Sequence, residues 1–168
     1  ICEIFVYADL KNNFTNPVWL VNRTIVTPTK EAAQFVDDFL LTRIPSELKK
    51  IYRSSDTVDN ETLYPIKFIN KLRPSGFLPH ILKLKKKCCI MLLRNLDATN
   101  AHCNGTCYII VSLHDHVIEA EVASGPYAGL TLLISRIPHE SKEMEFPFTF
   151  TRKQFPVKSA FALTCNKA

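Results

Sequence analysis

From Leu82 onward the sequence sets short apolar runs between turn signals at intervals of about ten residues, the rhythm of a small barrel or sandwich of antiparallel strands. The runs are Leu82–Leu84 continuing into Cys89–Arg94, then Cys107–Leu113, Val117–Ala123, Leu130–Ile137 and Phe146–Thr151. Ile118, Ala120 and Val122 alternate with Glu119 and Glu121, which gives that strand one wet face. Asn104-Gly105, His114-Asp115 and Gly125-Pro126-Tyr127-Ala128-Gly129 supply the turns. Asn104 and Gly105 both tolerate positive φ, so this pair is expected to shape the module rather than to do chemistry. Five or six short strands in about 70 residues suit an SH3-like barrel.

The flanks have a different texture. Trp19-Leu20-Val21 and Thr24-Ile25-Val26 read as a short buried strand with a polar lead-in. Thr27-Pro28-Thr29 then opens a helix, with Thr27 or Thr29 as cap and Pro28 in the first turn. Ala32, Phe35, Val36, Phe39 and Leu40 fall at helical spacing on one stripe, and Pro45 stops it. Residues 46–65 show no periodicity and read as a surface connection. Phe68, Ile69 and Leu72 suggest a short helix ended by Pro74-Ser75-Gly76. At the far end, Phe155 to Leu163 is apolar at most positions, as buried parallel strands are. The expected fold class is α/β, with residues 66–151 a β module inserted between residues 1–65 and 152–168.

The charge is uneven. Residues 62–110 carry eight Lys/Arg against one acid, whereas residues 1–61 carry seven against nine and residues 111–168 six against six. A basic middle segment is what a phosphate-tracking surface needs, because neutralising phosphates releases counterions. Within it Lys83-Leu84-Lys85-Lys86-Lys87 reads either as a grip on a nucleic-acid backbone or as a lysine-protected edge strand.

The six cysteines and the sequons at Asn13, Asn22, Asn60 and Asn104 superficially suggest secretion. Adjacent Cys88 and Cys89 make poor disulfide geometry in a strand, and one sequon sits on the tight turn; reduced thiols in an intracellular protein fit better. No apolar run approaches the roughly 18 residues of a membrane span, so no membrane partner is expected. Cys103, Cys107, His102, His114 and His116 crowd together, but Cys-x3-Cys across a turn is not the usual zinc spacing, and no metal site is expected. No one cysteine stands out as a nucleophile paired with histidine.

None of the four glycines belongs to the Gly-x4-Gly-Lys-Ser/Thr loop that cradles nucleotide phosphates, so no complete ATP site is present in these 168 residues.

An ordered series of motifs resembles the C-terminal motor half of PIF-type DNA helicases, in particular the versions carried by Helitron transposons. Trp19-Leu20 with Thr24 to Lys30 resembles the family's Trp-Leu…Ala-Ile-Leu-Ala-Pro-Thr-Asn motif. Leu63-Tyr64-Pro65, Pro74-Ser75-Gly76 and Leu78-Pro79-His80 follow, then Met91 to Asp97, Cys103 to Thr106, Val117 to Glu121, and Arg136-Ile137-Pro138. Gln154 to Val157 and Ala160 to Ala168 resemble the strand leading into a Thr-Ile-Asn/His-Lys-Ser/Ala-Gln-Gly motif.

The resemblance implies a partial RecA-like helicase domain interrupted by an SH3-like antiparallel β-barrel. It also implies an ATP-driven, five-prime-to-three-prime DNA-unwinding enzyme that uses ATP and magnesium. Its setting would be nuclear: DNA repair, recombination, telomere maintenance or transposition. By position Thr29, Lys30, Thr164, Asn166 and Lys167 would face single-stranded DNA, with Lys85, Lys86, Lys87 and Arg94 as further contacts. Lys30 stands where the family has Asn, Lys86 to Cys89 replace a Val-Gly-Ala-Pro turn, and Cys107 replaces an Arg. The expectation is a fragment, inactive by itself and lacking the N-terminal nucleotide-binding domain as partner. The other reading is a stand-alone nucleic-acid-binding or interaction module.

Overall fold

The computed structural model describes residues 5–45, 49–74, 76–100, 102–141 and 146–164. Near the N-terminus lie two short helices, α1 (Leu10–Asn13) and α2 (Pro17–Val21). Residues 19–21 are therefore helical and not the strand expected from their apolar run. The overlooked signal was Asn16-Pro17: the Asn16 side chain accepts the Trp19 N–H at 3.1 Å, and Pro17 occupies the first helical position.

Strand β1 (Ile25–Thr27) and helix α3 (Lys30–Arg43) form the expected strand–turn–helix unit. Thr29 is the cap, its hydroxyl accepting the Ala32 N–H at 3.2 Å, so Pro28 stays outside the helix. The buried stripe of α3 is Ala33, Val36, Asp37, Leu40 and Leu41, turned by about one residue from the apolar reading. Phe35, expected inside, is 67% exposed. Asp37 takes the inward position because its carboxylate accepts the Ala162 N–H at 2.9 Å, fastening α3 to β12 (Ala162–Thr164). Strand β12 runs parallel to β1, with Ile25, Val26 and Thr27 opposite Ala162, Leu163 and Thr164.

The stretch read as a surface connection contains two strands, β2 (Lys49–Arg53) and β3 (Ser55–Val58). Each buries a single side chain, Tyr52 and Asp56, among charged and polar neighbours, so no apolar alternation was visible. Helix α4 (Ile66–Ile69) follows as expected and ends before Pro74-Ser75-Gly76, of which Ser75 lies outside the described residues.

The predicted β rhythm resolves into β4 (Ile81–Lys85), β5 (Cys89–Leu92), β6 (Cys107–Leu113), β7 (Val117–Val122), β8 (Thr131–Ser135), β9 (Ile137–Glu140), β10 (Phe150–Gln154) and β11 (Val157–Ser159). Ile118, Ala120 and Val122 are buried, as the alternation requires. The expected Leu130–Ile137 strand is divided at Arg136, where the chain changes sheets. A five-stranded antiparallel sheet runs β11-β5-β6-β7-β8, a three-stranded sheet runs β3-β10-β9, and β2 pairs with β4. Among the described residues these sheets do not close into a barrel. Their pairings cross both expected boundaries: β3 joins β10, and β11 joins β5.

The main core packs Tyr7, Leu20 and the inner face of α3 against Leu84, Ile90, Tyr108, Ile110, Phe155 and Phe161. No helix among the described residues is long and apolar enough to cross a membrane.

Candidate nucleic-acid interface

Three of the expected contacts, Thr29, Lys30 and Thr164, come together at the carboxyl ends of β1 and β12, where α3 begins. Thr27 lies opposite Thr164, and its hydroxyl reaches the carbonyls of Thr29 at 3.0 Å and Leu163 at 3.3 Å. These bonds fix the turn that places Thr29 and Lys30 at the positive end of the α3 dipole. Lys30 is exposed and Thr164 half-buried. Asn166 and Lys167, expected beside them, lie outside the described residues.

A residue that sequence reasoning missed joins this end. Lys158 on β11 is half-buried, and burial pulls its ammonium below the ordinary lysine range; the carboxylate of Asp37 opposes that shift and the Lys30 charge adds to it. Burial pushes the Asp37 carboxyl up to about 7. The corner therefore holds two lysines near one carboxyl whose ionisation burial opposes, with Glu31 in the first turn of α3 as the adjoining acid. The available signal was a lone lysine inside the apolar run from Phe155 to Leu163.

The lysine run is divided in its use. Lys83 pairs with Asp38 at 3.0 Å, and the Lys85 ammonium donates to the Ile44 carbonyl at 2.9 Å, so both fasten β4 to the α3 region. Lys86 and Lys87 form the turn into β5. Lys87 is exposed with φ of 68°, and its ammonium stands 5.7 Å from the Phe14 ring centroid. Arg94 is half-buried, donating to the Gly76 carbonyl at 3.1 Å and lying 2.8 Å from the His139 ring nitrogen Nε2.

Asn104-Gly105 makes the expected turn between β5 and β6, though only Gly105 uses positive φ, at 90°. Its N–H donates to the Leu92 carbonyl at 2.8 Å, while the Asn104 N–H donates to the Asn95 side chain at 2.8 Å. Of the crowded histidines, His102 bonds the Tyr108 hydroxyl at 2.9 Å and His114 bonds Ser112 at 2.9 Å. Among the described residues no three His, Cys, Asp or Glu side chains are placed to hold a metal. The Cys107 thiol is pulled down to about 7 by a hydrogen bond with Cys89, whose own thiol is held well above its ordinary range by that bond and by burial.

Residues 67–113 match the family model described as DNA helicase Pif1, 2B domain. Unliganded Pif1 from Bacteroides sp is similar in fold, with TM-score 0.59 and 21% identity, over 85% of this chain and 42% of that one. Pif1 helicase from Candida albicans gives TM-score 0.64 at 15% identity, over 94% of this chain and 43% of that one. Bacteroides Pif1 bound to ssDNA gives TM-score 0.58 at 19% identity, over 94% of this chain and 38% of that one. No curated protein matches the chain. The chain thus resembles Pif1 helicases in sequence over 67–113 and in fold over most of its length, and spans about two-fifths of the solved structures it matches.

Proposed function

We propose that this chain is part of an ATP-dependent DNA helicase of the PIF type and holds the phosphate backbone of single-stranded DNA at the carboxyl ends of β1 and β12. In this reading the β1–α3–β12 unit belongs to a RecA-like motor domain, and the sheet β5-β6-β7-β8 is the counterpart of its SH3-like insertion. The nucleotide loop and its magnesium are contributed by sequence outside these 168 residues, and the whole enzyme unwinds DNA five-prime-to-three-prime in the nucleus. The observation that carries it is the register of Thr27 with Thr164, which sets Thr29 and Lys30 beside Thr164 at one edge, close enough to Lys158 on β11 for the Lys30 charge to act on its ammonium. A motor that steps along any sequence needs hydroxyls, N–H groups and ammoniums on phosphate rather than contacts to base edges. Lys86 and Lys87, at the basic turn into β5, extend the same attraction, and Arg94 contributes charge from its anchored position.

The test is fluorescence anisotropy with a labelled dT20 strand. Affinity is expected to drop about tenfold or more between 50 and 200 mM salt, the dependence produced by a few phosphate contacts. Replacing Lys30 by Glu and Lys158 by Gln is expected to abolish most of the binding without lowering the melting temperature by more than a few degrees. Salt-independent binding, or full affinity in that double variant, overturns the reading. The chain alone is expected to show no ATPase activity.

A further inference from the structure

We infer that Tyr64, Phe68, Phe146 and Phe148, flanked by Lys67 and Lys71, form a base-stacking platform for single-stranded nucleic acid, a subsite separate from the phosphate corner; this inference rests on the nucleic-acid reading above. Phe148 stacks on Tyr64 with ring centroids 4.1 Å apart and an interplanar angle of 30°. Phe68 meets the same ring edge-on at 6.3 Å, and Phe146 lies against it at 5.4 Å. A purely structural cluster would be covered. Phe150, in contact with Phe146 and Phe148, is indeed 1% exposed, but Phe68 is 47% exposed and Tyr64, Phe146 and Phe148 are half-buried.

Charge selects the occupant. Lys67 and Lys71 are exposed and four residues apart about Phe68, and Arg73 is exposed just beyond. From Thr62 to Leu96 the sequence contains eight cations and no acid. An aromatic surface rimmed by mobile ammoniums fits a polyanion with flat rings along it, which is single-stranded nucleic acid. The aromatic contacts also lead inward from Phe150 to Phe77 at 5.1 Å and on to His139 at 4.2 Å, where Arg94 is anchored.

The platform and the corner make different demands on the ligand. The corner reads phosphate alone, whereas the platform needs a base. The experiment compares dT20 with an abasic chain of the same length and charge, using the 168-residue protein and its F68A, F68L and F68W variants. The expected result is that dT20 binds about tenfold tighter than the abasic chain, the contribution of one or two stacked bases. F68A and F68L should both remove that preference while leaving abasic binding within about twofold, and F68W should retain it. F68L keeps the apolar packing, so its loss separates stacking from folding. Equal affinity for the two chains, or an F68L variant that still prefers dT20, overturns the platform while leaving the phosphate corner standing. Failure to bind either chain overturns both.

Discussion

The Arg152 guanidinium and the Asp56 carboxylate meet at 2.7 Å with neither side chain exposed to solvent. The contact is two-pronged: Nε of Arg152 lies 3.1 and 3.0 Å from the two carboxylate oxygens. The remaining donors go to the carbonyls of Leu72, Leu78 and Ile69 at 3.0, 3.1 and 2.9 Å. One guanidinium therefore ties β10 to β3 and closes the segment after α4 on itself. A buried pair of this kind is expensive to break, because the survivor is left as an uncompensated charge. Asp56→Ala or Arg152→Met is expected to cost about 3–5 kcal/mol, while Arg152→Met combined with Asp56→Leu should cost less than either single change. Denaturant unfolding of the three variants measures this. A double variant as damaged as the sum of the singles would contradict the account.

Asp37 predicts a pH dependence. Its carboxyl titrates near 3.8 in the unfolded chain and is raised to about 7 in the fold, chiefly by burial. The folded protein keeps that proton when the unfolded chain has lost it. The associated stability is fully present below pH 3.8 and is lost as pH rises through 7. Asp37→Asn keeps an oxygen for the Ala162 N–H and removes the titration. The variant is expected to be the more stable protein at pH 8, by on the order of 2–4 kcal/mol, and to lose that advantage near pH 4. Melting curves at pH 4, 6 and 8 decide it; parallel curves for the two proteins would refute the assignment.

Thr29 is the helix cap, and the proposed function gives its hydroxyl a second role on phosphate. Thr29→Ala removes the acceptor for the Ala32 N–H and is expected to cost about 1 kcal/mol, with Thr29→Ser restoring most of it. If the hydroxyl also meets phosphate, Ser restores dT20 affinity as well, and Ala weakens binding by more than the stability loss explains. Stability and anisotropy measured on the same preparations separate the two roles.

What was legible in the sequence follows from where its information lay. The cap at Thr27 or Thr29, the strand around Thr24-Ile25-Val26, the Asn104-Gly105 turn and the Ile118–Val122 alternation are local signals; the structure puts the cap at Thr29 and the strand at Ile25–Thr27 and contains the other two. The α3 stripe was misread because Asp37 goes inward for an N–H on β12, 125 positions away, which no local period encodes. Strands β2 and β3 were missed because their burial is a single tyrosine and a single ion pair. Arg152 and Gln154 lie just past the expected Phe146–Thr151 strand with no local signal of burial, yet both are fully buried and bonded to backbone carbonyls of distant segments. Lys158 was hidden by the opposite problem, a polar residue inside an apolar run.

The basic run gives the sharpest division between fastening and binding. Lys85 is committed to the Ile44 carbonyl and Lys83 to Asp38, whereas Lys86 and Lys87 sit at the turn into β5, where the ammonium of Lys87 lies over the Phe14 ring. Lys85→Met therefore leaves the carbonyl at the end of α3 without its donor and is expected to lower stability by about 1–2 kcal/mol while leaving the salt slope of dT20 binding unchanged. Replacing Lys86 and Lys87 by Gln should do the reverse: stability within about 0.5 kcal/mol of the parent, and a salt slope shallower by about 0.7 for each phosphate no longer neutralised. The two lysine pairs lie within five consecutive residues, so a shared effect on both readouts would mean that the run acts as one charged patch. Opposite effects would show that the start of the run holds the fold and its end faces the ligand.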